Sequence, residues 1–169
     1  GEMKVLLLGD THGWVDDSIV ELAAGMELVV HTGDIGSASV LAALKSRCGN
    51  VLAVAGNNDV PKKWSVDEHH VLSGLPESLQ IELPGGVLAI EHGHRIWDSA
   101  NYHSRLRNKY PDTRAIAYGH SHIRRIDTTN QPWVMNPGAA GRVRTKGGAS
   151  CLVLTVKPDR WSVREFVAA

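Results

Sequence analysis

Residues 3–12, Met3-Lys4-Val5-Leu6-Leu7-Leu8-Gly9-Asp10-Thr11-His12, join an uninterrupted apolar run to a glycine and then to three polar residues. A run without period-two alternation fits a strand buried on both faces, as in parallel sheets covered by helices. Gly9 ends that strand, so Asp10, Thr11 and His12 fall on its exit loop. The same grammar recurs downstream. Leu28 to His31 leads into Thr32-Gly33-Asp34, and Val51 to Ala55 leads into Gly56-Asn57-Asn58-Asp59. Between them lie two helical stretches. Asp16 to Ala24 opens with carboxylates and Ser18, has Glu21 three residues later and stops at Gly25. Ser37 is placed to cap a helix through Lys45, with Val40, Leu41 and Leu44 as its apolar stripe. A β-α-β-α-β order implies parallel strands with right-handed crossovers, which gathers all three exit loops along one sheet edge. That edge is where ligands bind in open α/β sheets.

Further along the pattern changes. Leu79 to Leu83, Pro84-Gly85-Gly86 and Val87 to Glu91 read as a hairpin that exits into His92-Gly93-His94. Asp98 or Ser99 is positioned to cap a helix to about Lys109, which Pro111 prevents from continuing. Ala115 to Tyr118 is a strand ending in Gly119-His120-Ser121-His122. Short apolar runs follow at Ile123 to Thr128, Trp133 to Met135, Cys151 to Val156 and Trp161 to Val167. The stretch from about Pro61 to Glu77 reads as a linker. The expected architecture is two mixed sheets packed face to face, with helices outside.

Composition narrows the chemistry. With 169 residues the chain is expected to form a single domain spanning 1–169 with a core that needs no disulfides. The 18 Lys and Arg balance 18 Asp and Glu, so no global field attracts nucleic acid or an anionic membrane, and neither is an expected partner. Two cysteines far apart exclude a thiolate-rich zinc site and fit reduced thiols. No apolar run reaches membrane-spanning length and no signal sequence opens the chain, so the expected location is cytoplasmic. His31 sits inside an apolar strand and is expected to be a packed core residue, and His103 a surface one. Arg105, Arg107 and Lys109 are expected to form a solvated helix face.

Aspartate, neutral imidazole and a side-chain amide suit borderline divalent ions. Two ions about 3.5–4 Å apart need a bridging carboxylate, and Asp34 lies at the centre of the constellation. Two divalent ions against Asp10, Asp34 and four neutral histidines leave a net charge of about +2, which selects an anionic substrate.

Asp-x-His, Gly-Asp, Gly-Asn-x-Asp, His-Gly-His and Gly-His-x-His, in that order from Asp10 to His122, resemble the calcineurin-like metallophosphoesterase superfamily, and within it the small YfcE-like phosphodiesterases. Asn136-Pro137-Gly138 is a further similarity. The resemblance implies a four-layer αββα sandwich with one metal held by Asp10, His12, Asp34 and His122, and a second by Asp34, Asn57, His92 and His120. It implies manganese as the metal, with Fe²⁺, Ni²⁺ or Zn²⁺ as alternatives, and a metal-bound hydroxide attacking a small phosphodiester substrate. Homo-dimers or tetramers are a family-level expectation. Many relatives carry histidine where this chain has Asn58, and an amide cannot transfer a proton; loss of general-acid help costs about 10²–10⁴-fold. His94 is a candidate substitute, and Asp59 a candidate to orient a ligand histidine from behind. The alternative function is a weakly active or non-catalytic platform like the retromer scaffolding subunit, which resembles this fold but has lost ligands.

Overall fold

The structure, a computed structural model, describes residues 1–96, 99–143 and 147–168. In the first sheet, β1 (Met3–Leu8), β2 (Leu28–His31) and β3 (Val51–Ala53) run parallel. β9 (Ser150–Val156) pairs antiparallel with β1, and β10 (Trp161–Val167) closes that edge. The second sheet holds the hairpin β4 (Ser78–Leu83) and β5 (Gly86–Glu91), then β6 (Ala115–Ala117) and β8 (Trp133–Asn136) parallel to β5, and β7 (Arg125–Asp127) antiparallel to β8. The expected pair of mixed sheets is therefore observed, five strands in each.

The layers follow from the alternation of side chains along each strand. In β1, Leu6 and Leu8 point to a core shared with α1 (Asp17–Ala23) and α2 (Ala38–Lys45), where Ile19, Leu41 and Leu44 are buried. Val5 and Leu7 point the other way, into the seam between the sheets, against Leu88, Ile90, Ala115, Met135 and Leu152. The outer face of the second sheet, Ala89, Ile116 and Val134, packs on Leu106 and Tyr110 at α4 (Tyr102–Lys109). Both faces of β1 are thus covered, which is why its sequence carries no polar alternation. Each fully buried leucine contributes about 1.5–3 kcal/mol.

Asp16 caps α1: its Oδ1 accepts from Ser18 N at 2.9 Å. Two local expectations are corrected. The stretch read as a linker is instead part of the fold, with single turns at Pro61–Lys63 and Val66–Glu68 and a short helix α3 (His69–Leu72). Trp64 and Leu72 bury themselves in the helix-side core. Glu68 Oε1 accepts from Ala38 N at 3.1 Å, satisfying the exposed start of α2 that Ser37 leaves uncapped. At the start of α4, Asp98 lies outside the described residues, and a single 3₁₀ turn, Ser99–Asn101, precedes the helix.

Candidate metal centre

Six loops leave the carboxyl ends of β1, β2, β3, β5, β6 and β8 on the same side of the two sheets. Parallel pairing puts them there, and hydrogen bonds between loops then fix their spacing. Asp10 N donates to Gly33 O at 3.0 Å and His12 N to Asp34 O at 3.0 Å, so the first two loops run side by side. His31, fully buried, accepts from Gly33 N through Nδ1 at 3.0 Å, so its Nε2 carries the proton and donates to Thr11 Oγ1 at 2.9 Å. Thr11 Oγ1 passes its own proton to Ile35 O at 2.9 Å. Burial pushes the His31 pKa down to about 3, so the ring is neutral, as this relay requires.

Asp59 is the cross-brace of the third loop. Its Oδ2 accepts from Gly56 N at 2.8 Å and Ile35 N at 3.1 Å, and its Oδ1 from Gly36 N and Trp64 Nε1, both at 3.1 Å. Four donors occupy the carboxylate and none is a histidine, so its role differs from the expected orienting of a ligand ring. Gly56 has no alternative here, because a Cβ on it would run into the Asp34 carboxylate. Gly33 likewise has φ near +110°, and a Cβ there would stand 2.7 Å from His92 Nδ1.

The predicted ligands converge. Donor atoms of Asp10, His12, Asp34 and His122 all lie within 4.8 Å of one another. His12 and His122 approach Nε2 to Nε2 at 3.3 Å, His122 Nε2 lies 3.6 Å from Asp10 Oδ1, and His12 Nε2 lies 3.7 Å from Asp34 Oδ2. An ion with donors at about 2.1 Å holds neighbouring donors about 3.0–3.4 Å apart, so these separations are those of one coordination shell, slightly open. Beside it, His92 Nε2 stands 3.4 Å from Asp34 Oδ2 and 3.8 Å from Asp10 Oδ1. The His92 and His120 rings lie 5.3 Å apart, and His120 Nδ1 is 3.2 Å from Asn57 Oδ1. Asp34 touches both groups.

Donor chemistry fits a cation. His92 Nδ1 donates to Thr32 O at 3.0 Å, which turns Nε2 toward the carboxylates. Both Asp10 Oδ1 and His92 Nε2 are buried without a hydrogen-bond partner, a costly arrangement unless a positive charge lies between them. Burial pushes the Asp10 carboxyl up to about 7 against the attraction of His92. At Asp34 burial also opposes ionisation, but the close contact and charge of His92, 3.4 Å away, and two donors from Asn58 outweigh it and hold the carboxyl well below its usual range. Burial likewise works against a charged His92, yet Asp34 and Asp10 overcome it and raise its pKa. The two carboxylates thus favour positive charge at His92, beside the position a cation would take.

Backbone strain marks the same residues. Five non-glycine residues among those described have left-handed φ: Asp10, His12, Asp34, His120 and His122, at +48° to +73°. All five belong to the predicted ligand set. Each such residue costs about 1–3 kcal/mol and persists only where surroundings over-determine it.

The remaining predicted residues flank the cluster. Asn58 Nδ2 donates to Asp34 Oδ2 at 2.8 Å and its Oδ1 accepts from Lys63 Nζ. His94, half-buried, has its ring 5.6 Å from His92 and 6.3 Å from His120; burial, then the charges of His92 and Arg95, lower its pKa. A cleft of about 610 Å³ opens beside His120 and Ser121 and is walled in part by Tyr102, His103, Tyr118 and Arg125. His103, read from sequence as a surface residue, links Asp127 Oδ2 at 2.7 Å to the Tyr118 hydroxyl at 2.9 Å. Arg107 is no solvated residue either, since it donates to Pro132 O at 2.8 Å and pairs with Asp127 Oδ1 at 3.1 Å. No local signal gave these away, because 24 residues separate His103 from Asp127.

Fold and site together define an αββα protein with a histidine–carboxylate cluster that could hold a metal ion where the two sheets meet. Residues 3–159 match the calcineurin-like phosphoesterase superfamily domain, and the chain belongs to that superfamily. A phosphodiesterase of Methanocaldococcus jannaschii is 25% identical over 146 residues, covering 80% of this chain and 83% of that protein. A probable metallophosphoesterase of Mycoplasma pneumoniae is 29% identical over 143 residues, covering 80% and 78%. Among solved structures, wild-type Vps29 of Entamoeba histolytica complexed with Zn²⁺ has a TM-score of 0.79 at 18% identity, over 98% of this chain and 92% of that one. A novel archaeal phosphodiesterase has a TM-score of 0.74 at 23% identity, over 98% and 100%. At these identities the structural likeness is one of fold.

Proposed function

We propose that the protein hydrolyses phosphodiester bonds at a dinuclear centre, with Asp10, His12, Asp34 and His122 holding one divalent ion and Asp34, Asn57, His92 and His120 the other. The observation that carries this reading is the convergence of four donor atoms within 4.8 Å, two of them carboxylate, from loops far apart in the chain. Bound divalent ions supply Lewis acidity to a phosphoryl oxygen and lower the pKa of the attacking water. The chain's own residues prepare the place. Asp34 lies between both donor groups and would be the shared ligand. Asp10 and His92, whose pKa values are raised without metal, would have to be deprotonated to hold ions. The His31–Thr11 relay and Asp59 hold the first three loops close to ligating positions before any ion binds. Substrate is a small phosphoester whose organic arm enters the cleft beside His120. Asn58 supplies hydrogen bonds and no proton, so departure of the alcohol relies on its own acidity or on His94.

A second reading, a platform of the same fold, draws support from the similarity to Vps29 structures. Filled ligand positions weigh against it. The deciding experiment strips the protein of metal and restores Mn²⁺, Fe²⁺, Ni²⁺ or Zn²⁺ in turn, assaying phosphomonoesters, phosphodiesters and cyclic nucleotides while metal content is measured. Metal-dependent turnover of diesters with two ions per chain is expected. Tight metal binding without turnover of any substrate would favour the platform, and a stoichiometry at or below one under saturating metal would refute the dinuclear centre.

A further inference from the structure

The Gly119–His122 loop carries two candidate ligands in left-handed conformation, His120 with φ +73° and His122 with φ +63°. Neither is glycine, so the loop relaxes unless something fixes it from behind. Asp10 does part of this from the front, its Oδ2 accepting from His120 N at 3.1 Å. Behind the loop stands Asn136, fully buried at the carboxyl end of β8, the strand directly beside β6. Gly138 N donates to its Oδ1 at 2.9 Å, which fixes the orientation of the amide. The NH₂ group must then face the loop, where it donates to Gly119 O at 3.2 Å and to Ser121 Oγ at 3.0 Å. Ser121 Oγ accepts in turn from Ile123 N at 3.3 Å. A single relay from Asn136 through Ser121 therefore brackets both histidines, contacting the residue before His120, the residue between them and the residue after His122.

From this we infer that Asn136 is a positioning residue for the metal centre, acting through Ser121 to hold His120 and His122 in ligating geometry before any ion arrives. The inference rests on the dinuclear reading for its consequence, yet its structural half is testable in the metal-free protein. Outer residues that orient ligands cost about 10–100-fold in metal affinity when removed.

Asn136→Ala, Ser121→Ala and Ser121→Thr are compared with wild type. Amide hydrogen exchange at His120 and Ile123 is read without metal, and Mn²⁺ affinity is read by calorimetry. Asn136→Ala is expected to lose at least tenfold in exchange protection at those two amides and in Mn²⁺ affinity. Ser121→Ala is expected to move the same quantities by a smaller factor, and Ser121→Thr, which keeps Oγ, to stay near wild type. Because Ser121 is exposed and leaves the core intact, the serine pair carries the test if Asn136→Ala does not fold. Unchanged protection at His120 and Ile123 in the alanine variants would overturn the inference. So would Mn²⁺ affinity within twofold of wild type while only thermal stability falls, the signature of a merely structural amide. If wild type binds no Mn²⁺, the dinuclear reading fails, and the exchange measurement still decides whether Asn136 holds the loop.

Discussion

Replacing His31 with asparagine should remove one pH-dependent contribution to stability. His31 is fully buried, and burial holds its pKa near 3 against 6.5 in the unfolded chain. Between those values the unfolded chain binds a proton that the folded chain refuses, so stability falls as pH is lowered through the window, by about 1.4 kcal/mol per unit. From pH 6.5 to 4.5 this amounts to about 2 kcal/mol, and from pH 7.5 to 4.5 it amounts to about 3 kcal/mol. An asparagine can keep the acceptor for Gly33 N but not the donor to Thr11, and it leaves part of the ring volume empty. At pH 7.5, where His31 is neutral in both states, the variant should be less stable by about 1–3 kcal/mol. At pH 4.5 that deficit should shrink by about 3 kcal/mol and vanish or reverse. Urea unfolding of the two metal-free proteins at both pH values supplies the difference, in which every other titrating group cancels. A deficit equal at both pH values within about 0.5 kcal/mol would mean that His31 titrates alike folded and unfolded, and the neutral relay through Thr11 would be wrong.

Asp34→Ala should abolish binding of both ions, whereas His122→Ala should weaken one; metal content after dialysis distinguishes them, and two ions retained in Asp34→Ala would remove the bridge from the site. Metal binding should release protons, because Asp10 and His92 both carry raised pKa values. Calorimetry in buffers of different ionisation enthalpy should count about one to two protons at pH 6.5 and fewer at pH 8.5, and equal counts would contradict those assignments. Turnover should fall steeply as leaving-group pKa rises, and Asn58→His should flatten that dependence. A shallow wild-type dependence that steepens in His94→Ala would instead make His94 the acid.

The loops of the centre were legible because each follows an apolar run that can only be a strand, and parallel crossovers leave their ends no choice of side. Asp10, Asp34 and Asn57 can therefore be placed near one another from the chain alone, whereas His120, after β6 of the second sheet, joins them only through the family resemblance. The left-handed backbone at Asp10, Asp34 and His120 cannot be read this way, since aspartate and histidine carry no glycine-like signal for positive φ. Asp59 reads from the sequence as a partner for a histidine; its donors are instead the Trp64 indole and the backbone amides of Ile35, Gly36 and Gly56, and backbone amides look alike in every sequence. The segment from 61 to 77 read as a linker because Pro, Lys, Asp and Glu mask the two residues that anchor it, Trp64 and Leu72. Asn136 was noticed without a role, because its contacts lie across a strand pairing.

Asp10, His12 and Asp34 ride on one leaf of the sandwich, while His92, His120 and His122 ride on the other. The cluster is consequently a clasp between two slabs that otherwise meet through packed aliphatic side chains and a few hydrogen bonds such as Trp161 Nε1 to Pro84 O. A shear of one slab past the other by a single ångström would loosen that packing and pull the donor atoms out of register. Occupancy of the clasp should therefore act as a strain gauge for the whole molecule, failing under mild pressure, cold or denaturant well before either slab loses its own hydrogen-bond ladder.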